Sequence, residues 1–503
     1  MDTVTIPGIP HLRLYLLATA VVLAIWVLAR SFAKRYPHPL PPSPPAEPLI
    51  GHLRTVPLEN AHLVHMRYAK EYNSPLVYFN ILGNHIVVLN TNKAATDLLD
   101  RRVTLTFMRY GAQWKMHRTV LQNNFTKSSI VKYQYIQEQE ARQAVSSIVR
   151  DPPQWLLFTR RFASAVVLRI GFGVTIQRDD DPYIQIAADA NLATSKGGNP
   201  GTALVDYAPW TRFLPDWVIN SITLRHAREW SWAIRRLHDV PFAAVLKEFD
   251  AGTSKPSVAT TLLTKHAENE KQGLPNEFAL ADIQGASASV FIAGSNTTWG
   301  TTTVCIFNLM QNPAVFQKAR AEIDRVVGTD RLPSLADRAQ LRYLDYIVEE
   351  VSRWRPLSPI GIPHRSTQDD VYNDMFIPRG TYVYYNSYAM SRDPSIYRDA
   401  EAFSPDRYMP KEEGGAGEPF LSAPFGFGRR ICVGRHLAQA SVWIFAATLI
   451  ATMDISKPAD AEGKEREQHL KFSTGLSSHP GYFDLAFRPR SEKAKALLAQ
   501  TMY

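Results

Sequence analysis

The sequence predicts a mainly helical body with a minor β-sheet region, carried behind an N-terminal transmembrane anchor. Three observations predict it. Helix-period apolar stretches fill most of the chain after Trp114, runs of strand type are short and few, and an uncharged apolar segment lies before residue 30. At 45% hydrophobic and 20% charged, the 503 residues have a globular composition with enough apolar mass for a large core.

The elements follow in order. LYLLATAVVLAIWVLA, Leu14 to Ala29, is a run of sixteen uncharged residues with Arg13 before it and Arg30, Lys34 and Arg35 after it. It falls just short of the roughly 17 to 25 residues that span a bilayer, but flanking basic side chains can snorkel outward. It is long for the roughly 7 to 15 residues of a signal-peptide core and lacks a clear cleavage site, so a retained single-pass anchor is expected. The basic excess after it puts the following chain on the cytoplasmic face, with the endoplasmic reticulum as the expected membrane. In PHPLPPSPPAEP, Pro37 to Pro48, proline forbids helix and imposes an extended, semi-rigid spacer. The expected organisation is an anchor over 1–30, a proline-rich hinge over 31–50 and one large domain over 51–503.

Residues 75–90, PLVYFNILGNHIVVLN, read as two strands around a Gly-Asn turn. Helices are expected around 129–149, 153–172, 225–250, 280–311, 313–327 and 436–453, and short strands near 371–386 and 469–487. DYAPWTRFLPDW, 206–217, interrupts the helices with prolines and aromatics. It is either a packed loop or one that dips into a membrane, since Trp and Tyr favour the interface.

The formal charge of +9 fits an anionic membrane or an acidic protein partner. With no zinc-finger or RNA-binding signature, nucleic acid is not an expected partner. The two cysteines, Cys305 and Cys432, exclude a disulfide framework, and neither sits in a zinc-type cluster. In FGFGRRICVG, 425–434, Cys432 stands among glycines and arginines just before an apolar helix. Arginines and a helix N-terminus favour thiolate, and glycines let backbone N–H groups approach a sulfur that binds iron. A lone cysteine of this kind is otherwise a buried structural residue beside a basic turn.

The spacing of Phe425, Gly428, Arg430, Cys432 and Gly434 resembles the haem-binding loop of the cytochrome P-450 superfamily, the haem-thiolate monooxygenases. Three upstream motifs match the family in order. WKMHR places Trp114 and Arg118 four apart on one helix face, AGSNTT spans 293–298, and Glu350 and Arg353 in EEVSRWRP precede Arg407 in SPDRY. The later region is most similar to fungal membrane-bound members of secondary or xenobiotic metabolism.

The resemblance implies haem b with Cys432 as its axial ligand, and Trp114, Arg118 and Arg430 as holders of the propionates, with His364 and Arg365 as weaker candidates. It implies Glu350, Arg353 and Arg407 as structural supports, and Thr297, with Asn296 and Thr298, as the oxygen-activation segment. The implied activity is insertion of one oxygen atom from dioxygen into a small apolar substrate, with electrons from NADPH through a separate flavoprotein reductase. A haem-thiolate isomerase or dehydratase, or an impaired haem protein, are the competing readings.

Two departures from the family pattern stand out. Asn296 occupies the place of an acid and cannot ionise. The chain also runs almost directly from DLLDRR into VTLTFMRYGAQW near residue 102, where relatives carry a longer roof over the pocket.

Overall fold

The computed structural model describes residues 15, 18–24, 36–57, 59–99, 111–195, 203–219, 221–460, 462–475 and 477–500. Tyr15 and residues 18–24 of the expected anchor are helical, while the rest of that run and the shortened segment after Arg102 lie outside the described residues. Among the described residues no helix is long and apolar enough to cross a membrane.

After α1 (Ala61–Glu71) come β1 (Leu76–Ile81) and β2 (Asn84–Leu89), followed by α2 (Asn92–Leu99) and α3 (Ala112–Asn124). β1 and β2 are antiparallel with Ile81 opposite Asn84. Their turn is therefore Leu82–Gly83 rather than the expected Gly-Asn pair. Both turn residues have positive φ, 49° and 82°, which matches the twist of a two-residue hairpin.

The principal helices follow as α4 (Gln134–Arg150), α5 (Trp155–Phe172), α6 (Pro182–Ser195), α7 (Ile222–Asp250), α8 (Val258–Lys271), α9 (Leu280–Gln311), α10 (Pro313–Val326) and α11 (Arg342–Trp354). Then come β3 (His364–Arg365), β4 (Asp370–Tyr372), β5 (Met375–Ile377) and β6 (Tyr382–Tyr385), followed by α12 (Arg435–Thr452), β7 (Met453–Ser456), β8 (Ala486–Pro489) and α13 (Glu492–Ala499). The long periodic helices thus lie within a few residues of their expected bounds. The strands expected over 371–386 divide between sheets: β4 pairs only with β5, whereas β6 joins β1, β2 and β3. Most of 469–487 is irregular. Its one strand, β8, starts at Ala486 and pairs with β7, which follows α12 without a break.

The spacer is extended and tied down. Proline has no N–H but keeps its carbonyl, and these carbonyls accept hydrogen bonds from Phe376 N–H (2.8 Å, at Pro39) and Tyr78 N–H (2.9 Å, at Pro42). Pro41 and Pro44 are buried, so the described part of the hinge forms one body with the sheet.

α9 runs through the core. Ser287, Ala288, Phe291 and Ser295 are all but inaccessible, and α5, α12 and α7 pack around it. Gly294 lets α5 approach, since a Cβ there would stand 2.4 Å from Val167 Cγ1. The glycine of AGSNTT is therefore a packing residue. α9 is helical without interruption through the motif.

Candidate haem-thiolate site

The Cys432 loop is shaped by left-handed glycines. Gly426 (φ 77°) and Gly428 (φ 58°) turn the chain where a side chain would be strained. A Cβ on Gly426 would also stand 3.1 Å from the Tyr385 hydroxyl. The loop closes when Cys432 N–H donates to the Phe425 carbonyl at 2.7 Å. Gly434 is not sterically required, because a Cβ there would lie an ordinary 3.9 Å from Cys432 Sγ. Its contribution is its N–H, which with that of Arg435 bonds the sulfur at the start of α12.

Burial is the largest influence on the Cys432 thiol and pushes its pKa up, while those two N–H groups and the charges of Arg435 and Arg118 oppose the shift. Yet Cys432 presents accessible surface, unlike its loop neighbour Phe427. A side chain that is desolvated by protein and still accessible faces an internal void. Cys305 makes the contrast: it is buried in the core with its thiol pushed up to about 12 and nothing opposing the shift.

α9 also carries accessible surface amid buried neighbours. Ala293 is exposed and Thr297 partly so, although Ser295, Asn296 and Thr298 around them are buried. Positions 293 and 297 share one face four residues apart, and the Thr297 hydroxyl donates to the Ala293 carbonyl at 2.6 Å. Of the three residues expected in oxygen activation, only Thr297 lies on the accessible face.

Basic groups gather beside the loop. Arg118 donates to the Ile431 carbonyl and to the Gln122 amide oxygen, each at 2.9 Å. The Arg430 guanidinium lies 4.6 Å from the centre of the Trp114 ring. Burial, and then the charge of Arg118, hold the Arg430 pKa down to about 9. Two half-buried guanidiniums that repel one another suit a guest with carboxylates, and the thiol, the void and these cations together fit a haem.

His364 and Arg365 part company, as neighbours on a strand must. His364 is buried with its ring 6.2 Å from Tyr385. Arg365 is exposed, donates to the Gly380 carbonyl at 3.1 Å and lies over Tyr382. The strand alternation thus sends the two side chains to opposite faces.

Glu350, Arg353 and Arg407 meet as expected, nearly inaccessible to solvent. Arg353 holds Glu350 through two bonds of 2.7 and 2.8 Å, and Arg407 Nε adds a third at 3.0 Å. Ser404 N–H and the Tyr408 hydroxyl complete the carboxylate, at 2.9 and 3.0 Å. Both guanidiniums spend their remaining donors on the segment before the loop, at Ser391, Ala400 and Ala402 for Arg353 and at Arg398, Asp399, Ala402 and Glu418 for Arg407.

Two features have no motif. Tyr385 packs against Phe427 and fills the space that a Cβ on Gly361 would need. His117, one residue before Arg118, meets Asp282 at 3.1 Å, and Gln113 donates to the same carboxylate at 3.0 Å, fixing α3 to the start of α9. β6 buries Val383, Tyr384 and Tyr385 in succession, so no alternation singles out Tyr385, and the Asp282 contact spans 165 residues and leaves no local trace.

A cysteine at a helix N-terminus, cationic side chains beside it and a long helix with an open face define a haem-thiolate protein. The cytochrome P450 family profile matches residues 41–485. A cytochrome P-450 monooxygenase of Armillaria gallica is 32% identical over 96% of this chain and 97% of its own length. One from Postia placenta is 35% identical, over 96% and 94%. The tryptamine 4-monooxygenase of Psilocybe cyanescens is 31% identical, over 90% and 92%. A zebrafish cytochrome P-450 solved with abiraterone shares the fold at a TM-score of 0.66 and 23% identity, covering 86% of this chain and all of that one. This chain belongs to the cytochrome P-450 family. It is a haem-dependent monooxygenase, an oxidoreductase that incorporates molecular oxygen, and these curated relatives are fungal.

Proposed function

We propose that the enzyme inserts one atom of dioxygen into a C–H or C=C bond of an apolar organic substrate. Terpenoids, fused-ring aromatics and similar secondary metabolites are the expected class, and the tryptamine-oxidising relative supports an aromatic ring among them. Electrons come from NADPH through a separate flavoprotein reductase.

The accessible yet desolvated Cys432 carries this reading. Haem, when bound, supplies the oxygen chemistry, which a thiolate ligand favours by donating electron density. Cys432 ligates the iron, and the N–H groups of Gly434 and Arg435 stabilise the thiolate. Trp114, Arg118 and Arg430 would hold the haem propionates, with His364 as a further candidate. Glu350, Arg353 and Arg407 brace the segment that leads into the loop. On α9, Ala293 leaves room for substrate beside the Thr297 hydroxyl, which passes protons, while Asn296 and Thr298 stand behind that face.

The catalytic domain sits at a membrane, with the endoplasmic reticulum as the expected one and the body on its cytoplasmic face. Support comes from 206–217, which exposes aromatic side chains although Ala208 and Thr211 are buried. Trp210, Phe213, Trp217 and nearby Ile222 are 65%, 75%, 85% and 81% exposed, an apolar and aromatic patch of the kind that enters a bilayer interface. Arg429 and Arg435 beside the loop suit an acidic reductase, so added salt should slow reduction. A salt-independent rate would reject that docking face.

Cys432→Ala should abolish the thiolate-type spectrum of the reduced, carbon monoxide-bound protein in microsomes. Survival of that spectrum would overturn the assignment of the ligand. Product formation from a panel of terpenoids, fused aromatics and fatty acids, with reductase present, tests the substrate class.

A further inference from the structure

Beside the accessible face of α9 lies a buried seam of polar groups with no partner among the described residues. His479, on the turn that follows Phe472, is 5% exposed, and neither of its ring nitrogens is hydrogen-bonded. Its ring stacks on Trp299 at 5.7 Å between centres, and the guanidinium of Arg160 lies 4.3 Å from the centre of the same indole ring. Trp299 Nε1, Ser295 Oγ and Thr302 Oγ1 are buried without partners too. Asn296 is buried as a residue, and its amide makes no hydrogen bond among the described residues but keeps some accessible surface.

Helix geometry brings two of these groups together. Asn296 and Gly300 are four apart and share one face of α9. A Cβ on Gly300 would stand 3.4 Å from His479 Nδ1, and Cβ positions four apart on a helix are about 5–6 Å from one another. Asn296 and the His479 imidazole thus lie along one face of α9, about one helical turn apart. Such orphaned buried groups are rare in folded proteins, and ordered water with two to four polar partners is the usual remedy.

The chemistry suits water rather than an ion. Burial, and then the charge of Arg160, push the His479 pKa down to about 4, so the imidazole is neutral at physiological pH and keeps one donor and one acceptor. An amide likewise donates and accepts. Water matches both groups.

We propose that Asn296 and His479 hold an ordered water between them on α9, and that His479 is thereby a positioning residue for proton supply to Thr297. The first part concerns this chain alone, and the second rests on the monooxygenase site described above. Each transfer brings one proton to the water as another leaves it. The arrangement therefore needs no ionisable side chain at 296.

The test is a crystal structure of the full, haem-loaded chain at a resolution that shows waters, for the wild type, His479→Leu and His479→Gln. A water within hydrogen-bond distance of both Asn296 and His479 in the wild type, lost in the leucine variant, is expected. A dry contact, or a direct bond between the two side chains, overturns the proposal. With reductase present, His479→Leu should release at least about threefold more hydrogen peroxide per NADPH oxidised and show a larger solvent isotope effect, while His479→Gln stays near the wild type. An unchanged peroxide share and isotope effect in the leucine variant would remove the positioning role. If the leucine variant fails to fold, the glutamine variant decides, since its amide must reproduce the water. An abnormal reduced carbon monoxide spectrum in the wild type would instead reject the haem-thiolate reading and leave the water result standing.

Discussion

The support beneath the cysteine loop and the core-facing side of α9 are equally buried, yet they treat polar groups in opposite ways. Around Glu350 each carboxylate oxygen has at least two donors, and both guanidiniums reach backbone carbonyls as well. Along α9, Ser295 Oγ, Trp299 Nε1 and Thr302 Oγ1 have no hydrogen-bond partner among the described residues. Charges cannot be left alone in a low dielectric, whereas neutral groups can wait for water. The first region is built to stay fixed and the second to be wetted.

The largest effect should come from breaking the saturated side. Glu350→Ala leaves Arg353 as a buried, uncompensated cation and Arg407 with Glu418 alone, a loss of about 3–5 kcal/mol. Little haem-loaded protein should survive, as read by haem content per chain. A well-loaded, stable variant would show that the triad is replaceable.

Next comes the packed face of α9. Gly294→Ala drives a methyl into Val167 and should cost about 1–3 kcal/mol in thermal or denaturant unfolding. A neutral result would mean that α5 yields more easily than the saturated side does.

Glu349 is an exception close to the saturated region. Burial, and then the nearby charge of Asp345, raise its pKa to about 7, while Arg338 and a hydrogen bond from Gln439 oppose the shift. Its folded value lies above its unfolded one, so the neutral acid is favoured by folding. That contribution is complete below about pH 4.5 and is lost as pH rises towards 7 and above. Glu349→Gln should remove this slope and make the variant more stable than the wild type at pH 8, by on the order of 1–2 kcal/mol. Parallel stability curves would rule out the titration.

The smallest effect is expected on the wetted side. Asn296→Asp should leave turnover unchanged or raise it, because water can solvate the added charge and an acid can carry protons. A large loss of product per NADPH consumed would show that the amide itself is required.

Much of this was legible in the chain. Cys432, the Trp114/Arg118 pair and Glu350/Arg353/Arg407 are spaced by helix and loop geometry, and the long helices announce themselves by periodicity. By contrast, β7 and β8 and the division of 371–386 between two sheets were hidden, because strand pairing is decided by residues far apart in sequence. Arg365 illustrates the local limit: a position in a motif says nothing of strand facing, and one residue reverses it.

The sequence by itself determined the family, the ligand candidate and the missing acid at 296, since these depend on residue type and spacing along one chain. Only the tertiary structure decided that Thr297, alone of the three residues expected in oxygen activation, reaches the accessible face, that Gly294 serves helix packing and that the proline spacer is docked. It also decided that His479 stands over Gly300. The contact joins residues 179 apart, and burial and proximity arise only when such segments are packed together.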